Sequence, residues 1–553
     1  MAKQIDYHEI WQKYQKSKTY MDGKGILPNT ERNWNFYIGK QWESLKDSEG
    51  LEDLPMLNFI KQTVKYKVST IAQHAVSVIF SDLNGQYSDA CERLNKLADI
   101  SWERAKMNRV AWKALNHCAV AGDSYVYWYD GDTRKQPQLI HNTNMHLGDE
   151  NTTSLQDQPY IIVEERLDKQ VVRERARLQG CSKRDIDLII PDADMEEVLL
   201  NKEEVSNKVT SLLYMEKIDG IVHVARATKN LCYEKLHPIQ QTRGGEYEGY
   251  GLTMYPIVPM VWEEVPNDAR GTSEVAQLIP NQLELNKTLA RRAISVKMTA
   301  FPRIAYDESA LSNPEDLDKV GAVLKLNGGN AQAIGTMISY LAPQAMSQDA
   351  KLLSDELLQQ TKDLAGASDT ALGNIDLSRV SGSAATTVRD QQQVPLNEQV
   401  AMYQEFVENV ALLYFELWKV YYPDGIEMDG IRVKAEEIQN IQPNVRIDIA
   451  EDTTLSRMAT SQELGNLFNN NKITFREYAE AYPEHSSIPK DILVKIANDR
   501  DMQMQQQMAT QPMMPDANGM IQDAPIDNMV ESGIEGVAAN GLPAQEIQAQ
   551  LAR

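Results

Sequence analysis

The chain has 553 residues and a formal net charge of −23. That length suits several domains at roughly 100–200 residues each, or one elaborate multi-part protomer. The acidic balance argues against tight, sequence-independent duplex binding, which relies on Lys and Arg neutralising phosphates, yet it suits a surface that lets DNA pass without gripping it.

In chain order, the opening "MAKQIDYHEIWQKYQKSK" has no apolar core of the kind a secretion signal needs. No run approaches the roughly 18 apolar residues that span a bilayer. A soluble, intracellularly made protein is expected. "NFIKQTVKYKVSTIAQHAV" opens at Asn58, a good N-cap residue, and puts Ile60, Val64, Val68, Ile71 and Ala75 on one helical face. A second helix is expected from about Cys91 to Val120, ending near Gly122. "SYVYWYD" (Ser124 to Asp130) reads as an aromatic, β-branched strand before the polar turn "GDTRKQ". "QPYIIVEERL", "LLYMEKIDGIVHVARAT" and "YPIVPMVWEEV" read as further strands with turns at "DG" and "RGG". This first part is an α+β region.

The second part is mainly helical. "GTSEVAQLIPNQLELNKTLARRAISVKM" offers Thr272 or Ser273 as N-cap and Glu274 in the first turn, and Pro280 inside it predicts a kink or a restart. A short turn-rich insert follows from Ala300 to about Pro343, with strand-like "GAVLKL" and the turn "NGGN". The next helix runs from Gln344 to Ala365, between Pro343 and Gly366, with Met346, Ala350, Leu353, Leu357 and Leu364 as its stripe. After the loop "GASDTALGNIDLSRVSG", a long helix is expected from about Ser383 to Tyr422. Its stripe is Met402, Phe406, Val410, Leu413, Leu417 and Tyr421, and Pro395 predicts a kink. A short strand pair is expected around "IRVKAEEI" and "NVRIDIA", then helices from Thr453 to about Gln507. The Gln-, Met- and Pro-rich tail reads as mobile. No tandem repeat is visible.

Candidate chemistry is thin. Cys91, Cys118, Cys181 and Cys232 are scattered, the pattern of isolated reduced thiols rather than of a disulfide framework or zinc site. "HNTNMHLGDE" brings His141, His146, Asp149 and Glu150 close in sequence, but the histidine spacing is not helical and no H-E-x-x-H is present. It reads as a polar loop between strands. "DADMEEVLLNKE" places Asp192, Asp194, Glu196 and Glu203 at EF-hand positions, yet Glu197 stands where the sharp turn needs Gly; a solvated acidic helix start is expected. "RGGEYEGYG" fits no phosphate-binding or dinucleotide fingerprint, "SGSAAT" has no Lys, and no G-x-S-x-G elbow occurs. No catalytic constellation stands out, and neither cofactor nor resident metal is expected. The pattern that does stand out is architectural. A helix enters a turn-rich insert, a second helix returns, and a loop and a long helix follow. Two such helices run antiparallel and carry the insert away from the body. Their outer faces suit contact with neighbouring copies in a closed ring.

The ordered set of segments resembles the portal protein of tailed bacteriophages, over about Trp34 to Lys490. "FYIGKQW" with "LPMLNFIKQTVKYKVSTIA" resembles the start of that family's wing; "AVAGDSYVYWYD" and "NTNMHLGDENTTSLQDQPYIIVEER" look like its wing strands. "GTSEVAQLIPNQLELNKTLARRAISVKMTAFPRI" is similar to its first stem helix running into the clip, and "SGSAATTVRDQQ" resembles the start of its long wing helix.

The resemblance implies an α+β, mainly helical portal fold. Its parts would be an N-terminal segment 1–29, a wing 30–271, a first stem helix 272–298, a clip 299–343 and a second stem helix 344–366. A tunnel loop 367–382, a kinked wing helix 383–422, a crown and C-terminal helical region 423–507 and a mobile tail 508–553 complete it. It implies a non-enzymatic ring of twelve copies at the capsid vertex of the virion, assembled in the host cytoplasm. DNA would be packaged and ejected through that ring. Implied partners are further copies of the chain, the terminase large subunit, head-tail adaptors, major capsid and scaffolding proteins, and double-stranded DNA held non-specifically; no membrane is implied. Asp369, Asn374, Asp376, Ser378 and Arg379 would face the DNA tunnel. Tyr306, Asp307, Glu308, Glu315, Asp316 and Asp318 would dock motor and adaptor from the clip. Gly366, Gly382 and Pro395 would act as hinges. Another ring or scaffold component of a phage head or neck is the alternative reading. A metal-dependent enzyme built on His141 and His146 is a third.

Overall fold

The structure is a computed structural model. It describes residues 5–42, 56–72, 74–82, 86–128, 133–192, 207–243, 246–300, 303–306, 312–313, 325, 338–341, 348–364, 366, 394–441, 443–451, 454–470, 472–482, 492–500 and 502. They belong to two compact units, Met1–Asp452 and Thr453–Arg553. The architecture is mixed helix and sheet, with helix predominating.

The first unit begins with α1 (Tyr7–Gly23), α2 (Ile26–Ile38) and α3 (Phe59–Ala72). Asn58 caps α3 as expected: its Oδ1 accepts from the Lys61 N–H at 3.1 Å. Ile60, Val64, Val68 and Ile71 are all fully buried. The expected helical stripe stops there. Ala75 lies instead in β1 (His74–Asp82), which pairs antiparallel with β16 (Pro443–Glu451) near the other end of the unit. A β-branched run that finds a distant partner strand gains a full ladder of backbone bonds, which overrides the local helical period.

One long helix was expected next, but two are found, α4 (Ser88–Arg104) and α5 (Met107–Ala121). They are split at Lys106, whose φ of +53° no helix accommodates. Between them Ala105 is fully buried, and the Trp102 indole N–H bridges the break to Asn108 Oδ1 at 2.6 Å. Gly122 ends α5 at a φ of +105°.

The strands β2 (Asp123–Tyr127), β3 (Gln138–His141), β4 (Met145–Leu147) and β5 (Tyr160–Asp168) follow. Helices α6 (Lys169–Leu178) and α7 (Lys183–Asp187) precede β6 (Lys208–Ile218), β7 (Ile221–Ala227), β8 (Cys232–Pro238), β9 (Gln240–Arg243), β10 (Glu246–Gly251) and β11 (Ile257–Val261). Strands β4 to β8 form one antiparallel sheet in sequence order, and β11, β2 and β3 form another. The β6–β7 turn is the expected "DG", with Asp219 and Gly220 both at positive φ. The larger sheet is buried on both faces. Ile161, Val163, Leu213 and Met215 point to one cluster, while Ile162, Leu212 and Tyr214 alternate to another completed by Ile10 and Tyr14 of α1.

The paired helices are α8 (Glu274–Ala300) and α9 (Gln348–Leu364), separated by β12 (Arg303–Tyr306) and β13 (Ile338–Leu341). Pro280 neither ends nor restarts α8. The one lost backbone bond is offset by packing on both sides of it, at Leu278, Ile279 and Leu285. Next come α10 (Asn397–Tyr421), β14 (Ile426–Met428), β15 (Ile431–Val433) and α11 (Ala435–Asn440). Pro395 does not kink α10 from within; it sits in a single tight turn, Val394–Leu396, just ahead of it. Of the α10 stripe, Phe406, Val410, Leu413 and Leu417 are buried, whereas Tyr421 is exposed. The expected strand pair is also repartnered. "IRV" pairs with β14 across the Asp429–Gly430 turn, and "NVRIDIA" pairs with β1. The main core joins α3, α4, α5, the first half of α8, α10 and α11 around Trp262, Trp418, Phe406 and Phe415.

The second unit holds α12 (Thr454–Asn469), α13 (Phe475–Ala481) and a helical stretch 492–500. Thr474 opens α13 with a reciprocal capping box to Glu477, and Arg500 lies over the Phe475 ring at 5.1 Å. The tail read as mobile, 508–553, lies outside the described residues.

Candidate assembly surface on the paired helices

The first half of α8 is fastened to the body by a buried polar seam. Ser273 caps the helix by accepting from the Ala276 N–H at 3.0 Å, and it accepts from Asn33 Nδ2 of α2 at 2.9 Å. Glu274 forms an ion pair with Lys67 of α3 at 2.8 Å and accepts from the Trp262 indole N–H at 3.2 Å. Two turns further in, Gln282 Oε1 accepts from the Phe59 N–H (3.1 Å) and its Nε2 donates to the Leu57 carbonyl (2.7 Å). Asn286 Nδ2 then donates to Gln41 Oε1 (2.6 Å). Glu274, Gln282 and Asn286 are all buried. A buried polar group left unpaired is costly, so this chain of bonds fixes the register of α8 on α2 and α3.

Beyond Ala290 the helix leaves that cover. Ile294 and Val296 are exposed, Val296 by 68%. On α9, Leu352 and Leu353 are exposed, while Leu357 and Leu358 pack on the main core and Thr361 is buried. The two helices touch, and beyond their ends β12 and β13 pair antiparallel from Arg303 opposite Leu341 to Tyr306 opposite Ile338. The result is a helix–strand–strand–helix excursion whose root is buried and whose outer half carries uncovered apolar side chains. Its polar face is largely self-satisfied: Gln359 and Gln360 bond to Asp363 and Glu356 on the same helix.

Tyr306, assigned to the clip, is exposed at the end of β12. Asp307, Glu308, Glu315, Asp316 and Asp318 lie outside the described residues, as do Asp369, Asn374, Asp376, Ser378, Arg379 and Gly382. Gly366, just past α9, adopts a φ of +64°, the left-handed conformation for which a C-terminal glycine is suited. A Cβ on it would lie 3.7 Å from Pro395 Cβ, so the described residues on either side of 367–393 come together. The start of the expected second stem helix and its Met346 lie outside the described residues.

His146 does not sit in a polar loop. It is buried in β4 between Ser17 Oγ and Glu164 Oε2, both at 3.3 Å, while Tyr14 donates to the same carboxylate at 3.0 Å. His141 stands apart from it at the exposed end of β3. Among the described residues no three His, Cys, Asp or Glu side chains come together as a metal cluster, and no helix is long and apolar enough to cross a membrane. Of the EF-hand-like acids only Asp192 is described, and it accepts from the Thr210 backbone N–H.

The sequence reading found the helices but missed the seam. Its signal was present as Glu274, Gln282 and Asn286 at helical spacing, polar residues on what is otherwise an apolar face. No protein-family model matches the chain, and no curated protein is similar to it.

Proposed function

We propose that the chain is the repeating subunit of a phage portal, a ring at one capsid vertex through which double-stranded DNA is packaged and later ejected. The observation that carries this reading is the anchored excursion of α8 and α9, buried at its root and apolar but uncovered at Ile294, Val296, Leu352 and Leu353. Single exposed apolar residues are ordinary; what supports this reading is that Ile294, Val296, Leu352 and Leu353 gather on the outer part of one helix pair whose root is buried. Full burial of an exposed aliphatic side chain contributes about 1.5–3 kcal/mol, and these four, already partly covered, would each contribute less. A contact of one face with a different face of the next copy forms a ring when its rotation closes and an open filament when it does not. In this reading residues 299–343 form the clip that docks the terminase and then the adaptors. The segment 367–382 lines the channel, and twelve copies meet capsid and scaffolding proteins from the wing. The ring conducts and docks; it does not catalyse. Another structural ring of a phage head or neck would use the same helix pair.

Negative-stain imaging and mass measurement of purified protein should show a ring with a central hole. Val296→Asp and Leu352→Asp should leave a folded subunit that no longer assembles. A wild-type monomer at high concentration, or rings unaffected by both changes, would sink the proposal.

A further inference from the structure

Histidines 117 and 141 come from different elements, α5 and β3, yet their ring centres lie 4.7 Å apart with planes inclined by 41°. Neither ring hydrogen-bonds another described residue. Trp34 of α2 meets the His117 ring edge-on at 5.0 Å and holds it from the other side. His117 is half-buried and His141 exposed, so solvent reaches the pair. With metal–nitrogen bonds of about 2.1 Å, two imidazoles on one ion have ring centres about 4.6 Å apart at a 90° ligand angle and about 5.3 Å apart at the tetrahedral angle, so the observed spacing suits square-planar or octahedral coordination best.

We propose that His117 and His141 form a two-imidazole site for a divalent first-row transition metal ion. His117 projects from α5 and His141 from the last residue of β3, so both ligands stand on regular elements. With neither ring engaged in a hydrogen bond to a described residue, each imidazole has a ring nitrogen to offer a metal ion. Imidazole ligands suit Cu²⁺, Ni²⁺ and Zn²⁺, with Cu²⁺ bound most tightly. Among the described residues no Asp, Glu, Cys or third His completes the set. The remaining positions thus belong to water or to a donor brought by whatever approaches this surface. Lys113, one turn before His117, is a nearby cation whose charge opposes binding of any divalent ion, so the site depends on the strength of the two metal–nitrogen bonds.

The test is titration of the whole purified chain with Cu²⁺, read by calorimetry and by electron paramagnetic resonance. Wild type should bind one ion with superhyperfine coupling to two nitrogens. His141→Ala, an exposed change that leaves the fold intact, should lose that signal. So should His117→Ala, while His237→Ala on β8 should keep it. If His117→Ala and His141→Ala bind Cu²⁺ with the wild-type stoichiometry and spectrum, or if wild type shows no two-nitrogen site, the assignment is overturned.

Discussion

At the scale of single residues, the polar groups inside the first unit set both its rigidity and its acid sensitivity. The Lys67 and Glu274 side chains are only 11% and 10% exposed. Glu274→Gln would strand a buried ammonium, and we expect it to cost about 3–5 kcal/mol in denaturant unfolding. Replacing both partners, Lys67→Met with Glu274→Leu, should restore most of that loss. A double replacement as damaging as the single one would show that the seam works through shape and not charge. His146 adds a pH term. Burial lowers its pKa, and the hydrogen bond and charge of Glu164 only partly oppose this. The folded state therefore binds the proton more weakly than the unfolded chain, whose imidazole titrates near about 6.5. The stabilisation is fully present above that pH and is lost as pH falls below it. Urea midpoints should fall more steeply between pH 7 and 5 in wild type than in His146→Gln; parallel curves would assign the acid sensitivity elsewhere.

At the scale of elements, local chemistry decided some structures and distant partners decided others. The "DG" turn of the β6–β7 hairpin was legible because both residues must take positive φ there. Nothing lies within 4 Å of a Cβ placed on Gly220, so Gly220→Ala isolates the backbone term. It should cost about 1 kcal/mol with the sheet intact. An unchanged unfolding midpoint would mean that the turn relaxes freely. Caps were legible for the same local reason, at Asn58, at Ser273 and at Gly366. What the sequence hid was non-local. Ala75 fits a helical face until Ala450 is known to stand opposite it. The "IRV" and "NVRIDIA" strands look like a pair until β14 and β1 supply better-placed partners. Strand β12 was invisible within a turn-rich insert because four residues carry too short a period to detect. Of the candidate site, the two helices and their order were readable. Which half of each is uncovered was not, because exposure depends on where α2, α3 and α10 pack. The His117–His141 approach was hidden likewise, since adjacent strands and helices bring together residues the chain keeps apart.

At the scale of the whole molecule, charge decides what kind of DNA contact a ring of these chains would make. Each copy carries −23, so closing the proposed ring would set like charges side by side, and apolar contacts made by the exposed Val296 and Leu352 would have to oppose them. Screening works in favour of closure: at 0.1 M salt the Debye length is about 10 Å, shorter than the span of a subunit. In such a ring the same field would repel phosphate from most of the surface and would leave DNA to slide rather than stick. In the proposed channel Arg379 would be the counterweight, one cation per copy forming a belt within an acidic barrel. Arg379→Ala should therefore leave rings intact by imaging while lowering the amount of DNA packaged or retained per particle. Charge reversal at Glu315 and Asp316 should do the opposite kind of damage, sparing ring formation while weakening capture of the motor or adaptor. Both changes start from the same ring and remove different contacts, so measuring packaging and docking on each variant separates the channel from the clip. Unchanged packaging in Arg379→Ala would mean that this guanidinium does not reach the DNA. Failure of the clip variant to form rings would place Glu315 and Asp316 in the subunit interface.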